Sequence, residues 1–381
     1  MHILIAPNAF KNSLKAVNVA TAINDGLRQS VLACTTHIFP VGDGGDGTGE
    51  LIIQHCNGMI VPASVHDPLG RTISSSFGLI NNGKTAVIEM ADASGLRLLK
   101  KSELNPLRTS SYGTGELIRH ALDKNVSSII LCIGGSATVD GATGILQALG
   151  FRFLNKEGKE LQSLPESLTE LDSIDISTAD KRIMNTELTV LCDVANYLLG
   201  QEGAAAIFGP QKGASPDDVR NLESSLSSLK DIVLKQTGNN MSGIKHGGAA
   251  GGTAAGLAVL LNAQLVNGID HFLSLTGFDK ALEKADLVIT GEGSIDIQTL
   301  QGKGPFGVAQ RAKRKGIPVI GLAGKLPEVI PGELKRYFDL LLSINPELTD
   351  IEAAIKNTRS RLVRTAKETG DKLADRKQFF T

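Results

Sequence analysis

The order of apolar and polar positions predicts alternating strands and helices at the start of the chain. Short apolar runs at 2–6 and 36–41 predict two buried strands. Helical periodicity follows each strand, at 15–28 and at 48–55, and Ser13 is the predicted N-cap of the first helix. A β-α-β-α order of this kind predicts a parallel, doubly wound α/β sheet.

The pattern changes near residue 61, where strand-like alternation and turn signals replace helical periodicity. Runs at 61–65, 72–79 and 85–90 predict antiparallel strands. The α/β pattern returns after residue 112. The elements predicted there are, in chain order, a helix at 115–123, a strand at 128–133, a helix that opens at 134–136 and ends at 149, a strand at 188–192, a helix at 216–236 and a helix of small residues that ends at 262.

Three further buried strands, at 287–289, 318–322 and 340–344, are predicted near the C-terminus. With the two N-terminal strands they would form one five-stranded parallel sheet. We therefore predict a discontinuous domain of residues 1–60 and 286–381, and an inserted α/β domain of residues 61–285 with antiparallel or mixed strands. Two consecutive domains split near residue 150 are the alternative, which is weaker because two strands alone do not form a stable sheet.

Composition and charge exclude several classes of partner. The net charge is −1 and no long basic stripe occurs, so nucleic acid and anionic membranes are not expected as partners. No apolar run approaches the ~20 residues of a membrane span, and no secretory leader is recognisable, so a cytoplasmic protein is expected. Cys132 and Cys192 lie in apolar strand-like runs and are predicted core residues.

Two glycine-rich motifs match familiar patterns but are interpreted differently. Residues 78–85, GLINNGKT, satisfy the Walker A pattern, yet Asn82-Gly83 stands between two strand-like runs and predicts a hairpin turn. Residues 42–47, GDGGDG, satisfy the dinucleotide-loop pattern between a strand and a helix. Asp43 and Asp46 would repel a pyrophosphate there, and they suit a metal ion or the hydroxyls of a substrate instead.

Five junctions between strands and helices combine small residues with polar groups, as phosphoryl transfer requires. The candidate cations are Lys11, Lys212 and Lys303. The candidate amide donors are Gly134, Gly135 and Ser136, and the run from Gly248 to Gly252. The candidate carboxylates are Asp43, Asp193, Glu292 and Asp296.

Six long blocks at these junctions resemble the glycerate kinase family of the bacterial type. They are PNAFKNSL (7–14), VGDGGDGT (41–48), GGSATVDG (134–141), IFGPQKGA (207–214), GGAAGGTAAGL (247–257) and ADLVITGEGSIDIQT (285–299). The resemblance runs through nearly the whole chain, and the blocks follow one another in the order of the family. The chain departs from the family pattern at Asn8, Ala9, Asp46, Val139 and the pair Asn196-Tyr197.

The resemblance implies an enzyme that phosphorylates D-glycerate with ATP and Mg²⁺. It implies a flavodoxin-like domain with an inserted domain and an active-site cleft between them; a monomer or a homodimer is expected. On this basis we hypothesise that Asp193 is the general base, with Asp43 as the alternative, and that Lys11 is a further catalytic cation. Glu292 and Asp296 would hold Mg²⁺. The residues expected in substrate binding are Ser13, Asp46, Lys212 and Lys303, and those expected in nucleotide binding are Gly134, Gly135, Ser136, Ala137, Gly248 and Gly251.

Some alternatives stay open at this point. The product could be 2-phosphoglycerate or 3-phosphoglycerate, and the acceptor could be another small hydroxy acid. A protein that only binds a nucleotide or an acid is the competing class, which the carboxylates at the strand ends do not favour.

Overall fold

The structure, a computed structural model, describes residues 1–162, 164–345 and 350–375. The strands are β1 (His2–Ile5), β2 (Thr35–Ile38), β3 (Met59–His66), β4 (Thr72–Ile80), β5 (Thr85–Glu89), β6 (Ser128–Cys132), β7 (Arg152–Leu154), β8 (Ser173–Asp175), β9 (Glu187–Cys192), β10 (Gln264–Asn267), β11 (Leu287–Ser294), β12 (Val319–Lys325) and β13 (Leu340–Ser343). The α-helices are α1 (Ala16–Arg28), α2 (Thr48–His55), α3 (Ala91–Ser94), α4 (Tyr112–Leu122), α5 (Thr143–Ala148), α6 (Ala204–Phe208), α7 (Pro216–Thr237), α8 (Thr253–Leu260), α9 (Gly268–Leu275), α10 (Phe278–Leu282), α11 (Gly304–Arg314), α12 (Gly332–Lys335), α13 (Ile351–Lys356) and α14 (Thr358–Ala374).

The chain forms two compact units. The first unit consists of Met1–Asp43 and Ile269–Thr381, and the second unit of Gly44–Gly268. The sequence placed the two boundaries later, after residues 60 and 285. At the first boundary the difference concerns α2, which packs on β5 of the second unit through Gly49, against Val87 and Glu89. At the second boundary it concerns α9 and α10, which belong almost entirely to the first unit.

The first unit is built on a five-stranded sheet in the order β13-β12-β11-β1-β2. All its strand pairs are parallel, which confirms the predicted doubly wound sheet. Helices α1 and α14 pack closely on each other, because Gly26 leaves room for the α14 backbone at the carbonyl of Val363. Ile3, Ile5, Ile23 and the other apolar side chains of this core are removed from water, which is the main force that holds the unit together.

The second unit is built on a six-stranded mixed sheet in the order β10-β9-β6-β5-β4-β3. The pairs from β10 to β5 are parallel, whereas β5-β4 and β4-β3 are antiparallel, as predicted for this stretch. Strands β7 and β8 form a separate antiparallel pair. The Walker-like segment contains a short 3₁₀ turn at Asn81–Gly83 between β4 and β5, so the hairpin interpretation is confirmed. Cys132 and Cys192 are buried in the core.

Two local predictions are wrong. Residues 134–142 are not helical: Gly135, Gly141 and Ala142 have positive φ, and α5 begins only at Thr143. Ser13 does not cap α1, whose N-cap is Lys15.

In the described part of the chain, no helix is long and apolar enough to cross a lipid bilayer.

Helix α7 illustrates how local sequence fixes an element. Ser215 accepts a hydrogen bond from the N–H of Asp218, Pro216 occupies the first turn, and Gly238 closes the C-terminus with a φ of 75°.

Candidate active site

The first unit gathers polar groups beyond the carboxyl ends of β1 and β2. The side-chain amide of Asn8 donates to Oδ2 of Asp43 at 2.8 Å, and the N–H of Gly304 donates to the same oxygen at 3.2 Å. Oδ1 of Asn8 accepts from the N–H of Ala9 at 2.8 Å, which fixes the orientation of the amide. Asp43 is only 8% exposed. Because Asn8 and Gly304 both bond its carboxylate, two segments far apart in sequence position this group.

Glu292, at the end of β11, forms the second carboxylate of this cluster. Its Oε1 accepts from the hydroxyl of Thr299 at 3.3 Å and lies 4.0 Å from Nζ of Lys303. Burial, and then the charge of Asp43, raise the pKa of Glu292 to about 7, against the opposing effects of Lys303, the Thr299 hydrogen bond and Lys11. A carboxyl group that titrates near neutral pH is typical of a functional site.

Asp296 is linked to this cluster through one threonine. Its N–H donates to Oγ1 of Thr299 at 3.1 Å, and the same hydroxyl donates to Glu292. Oδ1 of Asp296 accepts from the N–H of Gln298 at 2.9 Å and caps a short 3₁₀ turn. Thr299 is completely buried, and its two hydrogen bonds fix the positions of the two acidic residues relative to each other.

Lys11 and Ser13 lie on the turn between β1 and α1. Lys11 is exposed and contributes to the electrostatics of Glu292, so the structure brings it to the carboxylates. The hydroxyl of Ser13 donates instead to the carbonyl of Ile355 at 2.8 Å. The structure thus ties Ser13 to α13 rather than to the carboxylates.

In the second unit, two glycine segments touch each other at the carboxyl edge of the sheet. The N–H of Gly134 donates to the carbonyl of Gly44 at 3.0 Å. A Cβ on Gly134 would lie 2.4 Å from Cα of Gly45, so only glycine permits this approach. A Cβ on Gly44 would lie 3.5 Å from the amide nitrogen of Asp193, which places the start of the segment after β9 at the same point.

The backbone of the turn after β6 is hydrogen-bonded to a neighbouring segment of the second unit. The N–H of Ala137 donates to the carbonyl of Ser94 at 2.8 Å, and the N–H of Leu96 donates to the carbonyl of Gly135 at 2.9 Å. The amides of Gly134 and Ala137 therefore already have partners in the protein. Gly135 is the exposed member of this turn, with a φ of 72° and no side chain.

Lys212 is buried beneath this turn. Only 3% of the residue is exposed, and its Nζ donates to Oγ of Ser136 at 2.9 Å and to the carbonyl of Thr138 at 2.6 Å. Burial lowers the pKa of Lys212 to about 7, and the nearby Asp140 opposes this shift. The structure thus brings Lys212 to the predicted nucleotide turn and ties it to two of its residues.

Gly248 and Gly251 are needed for close packing of backbone against backbone. A Cβ would lie 2.3 Å from the carbonyl oxygen of Tyr197 at Gly248, and 2.1 Å from that of Thr138 at Gly251. Both glycines are buried. Gly248 thus packs the small-residue segment before α8 against the segment after β9, and Gly251 packs it against the segment after β6.

Sequence reasoning missed several polar residues of the second unit. Arg97 pairs with Asp92, and its Nε lies 3.6 Å from Oδ1 of Asp46. Glu89, the last residue of β5, is buried and accepts from the N–H groups of Gly47 and Gly49. Its position at a strand end is the signal that could have identified it.

Asp140 is a further buried acid, in a segment for which the sequence predicts a helix. Its Oδ2 accepts from the N–H of Ser111 at 2.8 Å and from the Ser111 hydroxyl at 2.7 Å. It is completely buried, and burial raises its pKa against these hydrogen bonds. Asp140 therefore fastens the start of α4 to the segment between β6 and α5.

Comparison with known proteins connects these clusters to a family. A family model described as "Glycerate kinase family" matches residues 3–374. A glycerate kinase of Bacillus subtilis is 42% identical over 380 residues and covers 100% of both chains. A glycerate 2-kinase of Escherichia coli is 40% identical and covers 98% of both chains.

A solved structure agrees with this result. The crystal structure of a putative glycerate kinase 2 from Salmonella typhimurium LT2 has a TM-score of 0.82 and 41% sequence identity, with 99% of each chain covered. Similarity of sequence and of fold thus extends over both units. The chain belongs to the glycerate kinase family.

Proposed function

We infer that the chain transfers the γ-phosphoryl group of ATP to a hydroxyl group of D-glycerate, and that the product is 2-phosphoglycerate. The observation that carries this proposal is the match to glycerate kinases over the whole chain. The name of the Escherichia coli relative, glycerate 2-kinase, favours the 2-hydroxyl as acceptor. Phosphorylation of the 3-hydroxyl or of another small hydroxy acid is the alternative.

In the first unit, we assign the cationic and acidic groups to charge stabilisation. Lys11 would neutralise the glycerate carboxylate or the moving phosphoryl group, and Lys303 would bind the substrate. Asp43, held by Asn8 and by the N–H of Gly304, is the alternative general base. Its fixed orientation supports this role, because a base must be placed before the hydroxyl arrives.

We assign Mg²⁺ to Glu292 and Asp296. Proteins commonly hold Mg²⁺ with one or two carboxylates, while phosphates and water complete the octahedron. Within residues 1–162, 164–345 and 350–375, no group of three acidic, histidine or cysteine side chains could hold a metal ion. Two carboxylates linked through Thr299 fit an ion that arrives with the nucleotide. When bound, the ion would neutralise the charge of the phosphates.

In the second unit, we assign Asp193 as the general base that accepts the proton of the reacting hydroxyl. Its position directly after β9, beside the Gly44 segment, supports this role. Asp46 would accept a hydrogen bond from a glycerate hydroxyl. The turn of Gly134, Gly135, Ser136 and Ala137 would receive the ATP phosphates through Gly135, because the amides of Gly134 and Ala137 are already bonded within the protein. A contact of Gly248 and Gly251 with the nucleotide stays a prediction.

Among these, Gly135 is the group that the geometry favours most, because it is exposed and lacks a side chain. Roles of Ser13 and Lys212 in substrate binding stay predictions, as do the domain limits of 1–60 with 286–381 and 61–285. A cytoplasmic location and a monomeric or homodimeric state are likewise expectations.

The reaction class is tested by measuring ADP release with a panel of small hydroxy acids. D-glycerate should give the highest kcat/KM, and a clear preference for another acid would replace the substrate assignment. Thermal stabilisation by ATP without any turnover would instead favour a protein that only binds the nucleotide.

The role of Asp193 is tested with Asp193→Asn. Loss of a general base should lower kcat about 100-fold or more while the affinity for ATP is unchanged. Asp180→Asn is the control, because the Asp180 carboxylate accepts hydrogen bonds from Arg182 in the segment that precedes β9. It therefore lies toward the amino end of this strand, whereas Asp193 follows the carboxyl end. Near-normal turnover of Asp193→Asn would remove this residue from the base role.

A further inference from the structure

We propose that Glu89 is a positioning residue, which fixes the Gly44–Gly47 segment for glycerate binding by holding the N-terminus of α2. The proposal rests on the function proposed above, in which this segment receives the substrate through Asp46. It concerns a residue that neither the reaction chemistry nor the sequence motifs identify.

The carboxylate of Glu89 binds two backbone groups at the start of α2. Oε1 accepts from the N–H of Gly47, and Oε2 accepts from the N–H of Gly49 at 3.0 Å. The residue is 6% exposed, so both bonds are shielded from water. Hydrogen bonds to a charged acceptor are about twice as strong as neutral ones, and shielding strengthens them further.

The glycines at these positions have two different roles beside the carboxylate. A Cβ on Gly49 would lie 2.9 Å from Oε2 of Glu89 and 3.4 Å from its Cβ. Gly47 has a φ of 91°, a conformation that side-chain residues rarely adopt. The backbone here is therefore shaped so that Glu89 can reach both N–H groups.

A continuous set of contacts leads from Glu89 to the predicted substrate segment. Thr48 accepts from the N–H of Gly44 at 3.1 Å through its hydroxyl, and its own N–H donates to the carbonyl of Gly45 at 3.2 Å. The carbonyl of Gly44 in turn accepts from Gly134. A shift of the α2 N-terminus would thus move Gly44 and the adjacent turn together.

Burial and neighbouring acidic groups bring the ionisation of the Glu89 carboxyl close to neutral pH. The acidic groups that face it are Asp46 on the glycine segment and Asp92 on α3, while the thiol of Cys132 faces it from β6. Arg97 pairs with both aspartates. Burial raises the pKa of Glu89 to about 8, against the hydrogen bonds from Gly47 and Gly49. Only the ionised carboxylate offers two full acceptors to the two N–H groups.

The proposal is tested with Glu89→Gln, in which the amide group of the side chain would face one of the two N–H donors. At about pH 9, where Glu89 is mainly ionised, we expect the KM for glycerate to rise about 10-fold, in line with the loss of one charge-assisted hydrogen bond, and the KM for ATP to be unchanged. We also expect kcat/KM for glycerate to rise with pH near 8 in the wild type and to lose this inflection in the variant.

Hydrogen exchange of the amides of residues 44–49, measured without substrate, separates this proposal from the proposed function. Glu89→Gln should accelerate their exchange about 10-fold, whereas the control Asp180→Asn should not. If Glu89→Gln does not fold, Gly49→Ala serves instead, since its methyl group displaces the Glu89 carboxylate. Unchanged exchange with an unchanged pH profile, or equal acceleration in the control, would overturn the proposal. An inactive wild type would refute the function but not the exchange result.

Discussion

Replacing Lys212 with methionine should reveal a buried charge through the pH dependence of stability. Methionine has nearly the length of lysine but no ammonium group. Lys212 is 3% exposed as a residue, and its Nζ donates to Ser136 and Thr138. Burial lowers its pKa from 10.5 to about 7. Because the folded pKa lies below the unfolded one, the stabilising contribution is present above about pH 10.5 and is lost as the pH falls through about 7.

The magnitude follows from the same shift. Between pH 7 and pH 9, the free energy of unfolding of the wild type should rise by about 2 kcal/mol relative to that of Lys212→Met. At pH 7 the variant loses two hydrogen bonds but avoids burying a charge, so its stability should be close to that of the wild type.

The assay is urea unfolding at both pH values, followed by far-UV circular dichroism because the chain has no tryptophan. Pulsed labelling of the Cys192 thiol, read by mass spectrometry, reports the second unit separately, since this thiol is buried in its core. Lys235→Met, which removes an exposed lysine of α7, is the matched control. A stability difference that does not change with pH in Lys212→Met would refute the buried-charge interpretation.

Three further substitutions test other parts of the account. Above pH 7 and in EDTA, Glu292→Gln should be more stable than the wild type by up to about 3 kcal/mol. The reason is the raised pKa of about 7, because of which the wild type loses stability from about pH 4.5 upwards. Equal stability of the two proteins at pH 8 would contradict this prediction. Gly134→Ala should cost about 1–3 kcal/mol and slow turnover, since its Cβ would lie 2.4 Å from Cα of Gly45; full activity would show that the two segments can separate freely. Gly26→Ala should lower the melting temperature with little effect on KM, since its Cβ would lie 2.3 Å from the carbonyl oxygen of Val363; an unchanged melting temperature would argue against this helix contact.

The sequence predicted the first unit well because buried parallel strands have a clear signature. Short apolar runs at 2–6 and 287–289 match β1 and β11, which pair in the sheet. The hairpin at Asn82-Gly83 was equally readable, because turn residues act locally.

Other features could not be predicted because they depend on contacts between distant segments. The turn after β6 resembles a helix start in sequence, but its conformation is set by pairing with residues 94–96. Lys212 looks like a surface lysine, and only the tertiary structure buries it against Ser136. Glu89 is one acid among 40 acidic residues until β5 and α2 are seen side by side.

The most direct test of the account is phosphorus NMR of the reaction of the purified protein with D-glycerate, ATP and Mg²⁺. We expect ADP to form together with the signal of 2-phosphoglycerate. The signal of 3-phosphoglycerate would contradict the proposed acceptor hydroxyl, and unchanged ATP would contradict the proposed reaction itself.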